Sequence, residues 1–115
     1  MTSPNVNLAQ HFFEALRRKD FSALPLAQDI VLESPISPRL VGVESVLEFL
    51  EGLASVTRAV RVLDSIVEGN KVAVEFELET AEGVIAGFEC FEFSDGQITK
   101  LRPYFDARPL LGGNA

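Results

Sequence analysis

The chain has 115 residues, a length that predicts a single domain, and 47% of them, including nine Phe, are hydrophobic and can form a modest core. The formal net charge of −7 argues against nucleic acid and membrane partners, because nucleic acids and anionic lipids attract basic surfaces. A single Cys excludes an internal disulfide, which fits the cytoplasm, and one Cys with one His offers no spacing for a metal site.

The N-terminal segment predicts an amphipathic helix over Pro4–Lys19. Ser3 is a favourable cap before Pro4, and apolar side chains then recur at helical spacing. The segment has no basic start and no long apolar run, so we expect neither a signal peptide nor a membrane span. Asp20 is suited to cap a short second helix, Phe21–Leu26, which Pro25 keeps short.

The next part of the chain predicts a strand, a loop and a helix. Ile30–Ser34 is predicted to be a short strand. The following segment, Ser34–Arg39, is predicted to be a loop, because its two prolines forbid regular strand pairing. After Gly42, a helix is expected over Val43–Ala54. Its apolar residues recur at helical spacing and include Val46, Phe49, Leu50 and Leu53.

From Arg58 onward apolar residues alternate with polar ones, which predicts antiparallel strands. Val60–Val67 and Val72–Thr80 are two of them, and Val84–Asp106 contains two more around an Asp-Gly turn. The complete order predicts an α+β fold in which a curved antiparallel sheet wraps around the N-terminal helices. We expect residues 107–115 to form a flexible tail.

Glu89 is the main functional clue in the sequence. It shares one strand face with Ile85, Gly87, Phe91 and Phe93, whereas Phe88, Cys90 and Glu92 point to the other. Burial would raise the pKa of its carboxyl group, so that it donates a hydrogen bond or a proton near neutral pH. Alternatively, Glu89 is a carboxylate at a pocket mouth or is paired with Arg61 or Arg102.

The register of the hairpins decides what approaches Glu89. With Glu82-Gly83 as a two-residue loop, Phe76 lies opposite Glu89. With Gly69-Asn70 as another, Arg61 falls on the same face, although a bulge would reverse this. His11, the only His, either borders the cavity or lies on the helix surface.

The other face of the sheet is expected to be partly apolar. Beside the row of Glu75, Glu77 and Glu79 it would carry Val60, Val62, Ile66, Phe88 and Cys90. A surface with this much apolar area suits the interface of a homodimer. Cys90 itself is expected to be a small buried hydrophobic residue.

These features resemble the SnoaL-like branch of the nuclear transport factor 2-like superfamily, over about residues 5–106. The likeness is carried by Lys19-Asp20-Phe21, Val31–Pro35, Gly42, Phe91–Ile98 and Arg102–Asp106. The branch includes ketosteroid isomerases, polyketide cyclases and limonene-epoxide hydrolases. The resemblance implies a cone-shaped fold around one pocket, with Leu101, Pro103 and Phe105 facing inward and Lys100, Arg102, Tyr104 and Asp106 facing outward.

The catalytic groups of these relatives are only partly present. The resemblance places Ser34 where ketosteroid isomerases have a general base, and Phe12 where they have an oxyanion-hole Tyr. Glu89 takes the place of the partnering acid. In the comparison with epoxide hydrolases, Pro103 takes the place of an Asp, and the strand before Glu82 offers no Arg.

The sequence and the resemblance therefore predict one largely apolar pocket for a small hydrophobic ligand, with Glu89 as a candidate catalytic acid and no cofactor. The expected ligand-binding residues are Phe12, Ser34 (or Leu32), Phe76, Leu78, Ile85, Phe91, Leu101 and Phe105. Three functions fit this prediction. The first is an isomerase- or cyclase-like enzyme, a lyase or hydrolase, that acts on a small carbonyl or terpenoid-like compound. The others are a non-catalytic binding module and a structural dimer whose pocket is filled by Phe side chains. A Ser34–His11–acid triad lacks the surrounding nucleophile motif.

Overall fold

The computed structural model describes residues 4–111. Two α-helices and six strands lie within this range. They are α1 (Pro4–Arg18), β1 (Leu26–Leu32), β2 (Leu40–Val41), α2 (Val43–Val56), β3 (Thr57–Glu68), β4 (Lys71–Thr80), β5 (Gly83–Ser94) and β6 (Gln97–Phe105). A short 3₁₀ helix, Arg108–Leu111, follows. The predicted cap Ser3 and most of the predicted tail lie outside the described residues.

All six strands form one open sheet in the order β2-β1-β6-β5-β4-β3. Both α-helices pack against the same face, which we call the inner face. The predicted α+β fold is confirmed. The sheet is mixed, however, because β1 pairs with β6 in parallel, while the other neighbours are antiparallel. Strands joined by no hairpin leave no turn signal in the sequence, so neither this pairing nor the short β2 was predicted.

The predicted helix Phe21–Leu26 is wrong, because the chain turns there and enters β1 at Leu26. Asp20 accepts hydrogen bonds from the amide (3.0 Å) and hydroxyl (2.7 Å) of Ser22, which closes a turn. The Pro25 carbonyl accepts a hydrogen bond from the Ile98 amide at 2.8 Å. Pairing with β6 therefore overrides the local helical preference.

The core lies between the helices and the inner face. An aromatic cluster from α1, β4 and β5 forms its centre, with ring centroids 5.2 Å apart for Phe12–Phe91 and 5.6 Å for Phe13–Phe76. At one end, the Lys19 ammonium donates to the carbonyls of Ala54 and Thr57. This contact joins the end of α1 to the end of α2.

Two of the three predicted turns are confirmed. Gly69-Asn70 is a two-residue loop between Glu68 and Lys71, and the Asp-Gly turn after Ser94 has φ of 52° at Asp95 and 75° at Gly96, as a tight hairpin requires. The β4–β5 loop is Ala81-Glu82 instead of Glu82-Gly83. This difference shifts the pairing by two residues, so every side chain keeps its predicted face.

A bulge in β3 changes the faces of several residues. The register shifts between Val62 and Asp64 and leaves Leu63 unpaired. Arg61 therefore lies on the outer face, where its Nε donates to Glu77 at 2.9 Å. Val60 and Val62 lie opposite inner-face residues, so the predicted outer placement of these two is wrong, while Ile66 lies on the outer face as predicted.

Candidate functional site

A narrow cavity lies between α1, α2 and the inner face of the sheet. Its wall consists of fourteen residues, and Glu89 is the one polar residue among them. The open volume is about 20 Å³, which is space for about one water molecule. Ligand pockets typically measure roughly 300–1,000 Å³, so side chains fill most of this cavity in the state described.

Glu89 lies in the middle of β5, between Val74 of β4 and Pro103 of β6. Neither neighbouring side chain can form a hydrogen bond. The side chain is buried, and its Oε2 has no hydrogen-bond partner within residues 4–111. Burial raises the pKa of the carboxyl group to about 8. Glu89 is therefore mostly protonated near neutral pH and presents an unused donor to the cavity.

The structure brings most of the predicted site residues together. Phe12, Phe76, Leu78, Ile85 and Phe105 line the cavity with Glu89. Phe91 and Leu101 are fully buried in the adjoining core and form no part of the wall.

Ser34 lies outside the cavity, and Leu32 occupies the wall instead. The Ser34 hydroxyl lies 3.0 Å from the Ser37 hydroxyl and accepts a hydrogen bond from the Ile36 amide. These contacts stabilise the turn after β1. Ser34 is therefore held in its loop and does not face the cavity as the resemblance implied.

The contribution of α2 to the cavity wall was not predicted. Phe49, Leu50 and Leu53 line the cavity, together with Phe13 and Leu16 of α1 and Ile36 of the loop. The helical spacing of the α2 residues indicated a buried face. The signal was present, but it could not distinguish a cavity wall from ordinary core.

None of the proposed partners of Glu89 reaches it in the described structure. Arg61 pairs with Glu77 and Glu79, and Arg102 lies opposite Cys90 on the outer face. His11 is exposed on α1 and is not part of the cavity wall. Cys90 is half-buried instead of fully buried, and burial raises the pKa of its thiol.

The arrangement is suited to donating one hydrogen bond in an apolar environment. A neutral carboxylic acid can stabilise a carbonyl oxygen or a developing enolate, more strongly in an apolar surrounding than in water. The wall contains no second titratable residue that could act as a base. Within residues 4–111 no group of three His, Cys, Asp or Glu is placed to hold a metal ion.

Several solved structures share this fold. One is a protein from Kribbella flavida, with a TM-score of 0.85 and 24% identity over 93% of this chain and 90% of that one. A second is an NTF2-like protein of unknown function from Cytophaga hutchinsonii, with a TM-score of 0.80 and 24% identity over 96% and 97% of the two chains. A steroid delta-isomerase from Pseudomonas aeruginosa has a TM-score of 0.80 and 21% identity over 97% and 87%. The chain thus has the NTF2-like fold.

The family follows from the sequence itself. Residues 9–101 match the SnoaL-like domain, so the protein belongs to the SnoaL-like family. No curated protein matches the chain in sequence. No helix in the described part of the chain has the length and apolar character needed to cross a membrane.

Proposed function

We propose that the protein binds a small hydrophobic molecule with an acceptor oxygen, such as a ketone, and that protonated Glu89 donates a hydrogen bond to it. The proposal rests on one observation, the buried and unpartnered Glu89 carboxyl group in an otherwise apolar cavity. A buried polar group without a partner is unfavourable, and a ligand oxygen would satisfy it. Family membership supports a pocket at this place.

Ligand entry requires the cavity to widen. Four wall residues are only half-buried and form the solvent side of the cavity: Ile36, Phe49, Leu53 and Phe105. They belong to the loop after β1, to α2 and to the end of β6. We therefore place the opening between these segments, where side chains can rearrange without exposing the central aromatic cluster.

Two substitutions of Glu89 test whether its hydrogen bond contributes to ketone binding. Glu89→Met keeps the side-chain length and removes the donor, so it should weaken binding of a cyclic ketone about tenfold relative to the matching hydrocarbon. Glu89→Gln keeps a donor and should retain ketone binding. Dissociation constants from calorimetry near pH 6.5 measure both. An unchanged preference for the ketone in Glu89→Met would contradict the proposed role.

Catalysis is the second candidate. A carboxyl group whose pKa of about 8 lies near neutral pH is suited to general acid chemistry, and the steroid delta-isomerase of similar fold catalyses an isomerisation. If the protein is an isomerase- or cyclase-like enzyme, Glu89→Gln abolishes turnover while ketone binding persists. Binding without turnover in the wild type identifies a binding module, and a chain that binds no such compound has a structural role.

We also propose that the protein is a cytoplasmic homodimer that associates through the outer face. Val84 and Phe88 of β5 are exposed there, as is Ile66 two strands away on β3, and they give this face the partly apolar character of a protein–protein interface. A second copy covers such a face symmetrically.

The dimer is tested by mass in solution. Light scattering should give about 25 kDa, twice the 12.6 kDa of one chain. Phe88→Glu should produce a monomer, because it places a charge in the centre of the apolar face. Val56→Glu is the control, since Val56 is also exposed but lies at the end of α2. A monomeric wild type would contradict the proposal.

A further inference from the structure

A second, open groove lies beside the last residues of β6. The final link between β1 and β6 is the hydrogen bond from the Glu33 amide to the Leu101 carbonyl, at 3.0 Å. Beyond it the chain turns away towards β2, and a groove of about 470 Å³ opens. Its lining residues are Glu33, Ser34, Pro35, Arg102, Pro103, Tyr104 and Phe105.

The groove adjoins the Glu89 cavity. Pro103 and Phe105 line both spaces. Ile36, which lines the cavity, follows directly on Pro35, which lines the groove. The groove therefore lies where the loop after β1 diverges from the end of β6. This is the same side of the molecule as the proposed opening of the Glu89 cavity.

Arg102 is the unpaired cation of the groove. Its Nε is buried and has no hydrogen-bond partner within residues 4–111, and no carboxylate of that range forms an ion pair with it. The acidic residue of the groove, Glu33, is already bound by Arg39 at 3.3 Å and by Lys100 at 3.4 Å. On β5, Glu92 lies opposite Lys100 in register. In a protein of net charge −7, the groove thus combines a carboxylate that is already neutralised with a guanidinium donor that is unused.

We propose that the ligand of this protein is a hydrophobic carboxylic acid whose carboxylate binds Arg102 in the groove while its apolar part enters the Glu89 cavity. A planar guanidinium matches a carboxylate in shape and charge. The Nε donor of Arg102, which lacks a partner, belongs to that guanidinium group. Ser34 and Tyr104 add hydroxyl groups to the groove wall. The inference rests on the proposed function and names the substrate class, an aryl or alkyl keto acid.

Benzoylpropionate and its naphthyl analogue, each compared with its methyl ester, are suitable probes. They carry a ketone for Glu89, an aromatic group for the cavity and a carboxylate for Arg102. Calorimetry at low salt and near pH 6.5 should show that the wild type binds the acid at least about tenfold more tightly than the ester. Arg102→Gln should remove this preference by weakening the acid alone.

Three further proteins complete the test. Arg102→Lys keeps the positive charge but lacks the planar guanidinium group, so it should retain only part of the preference for the acid over the ester. Arg58→Gln is the control, because it removes the same charge from an exposed residue of β3 outside the groove. Glu89→Met should weaken acid and ester alike, because both contain the ketone.

The outcomes separate this inference from the proposed function. If the esters bind and depend on Glu89 but the acids have no advantage, the groove proposal is wrong and the ketone site stands. If Arg102→Gln leaves acid binding unchanged and alters the mass of the protein, Arg102 pairs with a second copy, and the groove proposal is again wrong. If neither acids nor esters bind, while neutral ketones do, the carboxylic acid class is excluded.

Discussion

The free energy of unfolding is expected to fall by about 3–5 kcal/mol between mild acid and alkaline pH because of Glu89 alone. Burial raises the pKa of this carboxyl group from 4.5 to about 8 in the folded chain. Between these values the folded protein keeps a proton that the unfolded chain releases. Stability therefore decreases as pH rises through this window, and the effect of Glu89 is constant above it.

Urea unfolding at a series of pH values measures this effect. Glu89→Gln, which is neutral at every pH, should lose most of the slope and should be more stable than the wild type at about pH 9 by a similar amount. Glu82→Gln removes the same charge from an exposed loop residue and should keep the wild-type slope. Parallel curves for the wild type and Glu89→Gln would show that Glu89 is not buried and protonated as described.

Asp106 is an exposed carboxyl group that titrates at lower pH. Hydrogen bonds from the Arg108 side chain and backbone lower the pKa of Asp106 to about 2. Its contribution is fully present above pH 3.8, the ordinary pKa of an Asp, and is lost as pH falls from there to about 2. Because this range lies below the Glu89 window, the two effects can be separated in one series of measurements.

Gly87→Ala is expected to destabilise the protein by about 1–3 kcal/mol or more, through a steric clash within the sheet. Gly87 lies opposite Phe105 on β6. An added Cβ would lie 2.8 Å from the Cβ of Phe105 and 2.9 Å from its Cα, and would also overlap the Tyr104 carbonyl oxygen. All three are atoms of β6 close to its backbone, so only a movement of β6 away from β5 can relieve the contact.

Gly52→Ala is the matched control. Gly52 lies within α2, and a Cβ there would meet no atom within 4 Å. Because Ala favours helix more than Gly does, this substitution should stabilise the protein by about 0.5–1 kcal/mol. Chemical denaturation of both variants tests the pair. If Gly87→Ala is as stable as the wild type, β6 does not approach β5 as closely as described.

The Gly87 substitution also links stability to the site. Phe105, which β6 would carry away from β5, lines both the Glu89 cavity and the groove. Gly87 is therefore needed for the close approach of the two strands that positions this side chain. Its small size was visible in the sequence, but the atoms that surround it belong to Tyr104 and Phe105, 17 and 18 residues further along the chain.

Local signals in the sequence predicted both helices and the three hairpins. Helical spacing identified α1 and α2 within about two residues at each end, and Gly-Asn and Asp-Gly marked two turns. Strand alternation placed Glu89 on the inner face. These features depend on residues close together in the chain, which is why no knowledge of the tertiary structure was needed.

Other features depended on contacts between distant segments. The parallel β1–β6 pairing replaced the predicted helix at Phe21–Leu26 by a turn and the start of a strand, and a single bulge at Leu63 moved Arg61 to the outer face. A bulge adds one residue without a reliable local signature, yet it reverses the direction of every side chain on one side of it.

Alternation along one strand was enough to place Glu89 among apolar side chains, because it decides the direction of each residue from its neighbours in the chain. Three further properties follow from the packing of distant segments: the cavity around Glu89 is narrow, and within residues 4–111 no cation reaches Glu89 and no carboxylate pairs with Arg102 in the groove beside it. Those properties depend on how α2, the loop after β1 and β6 pack together. The volume and the charge balance of such a site are set by side chains from all three segments at once.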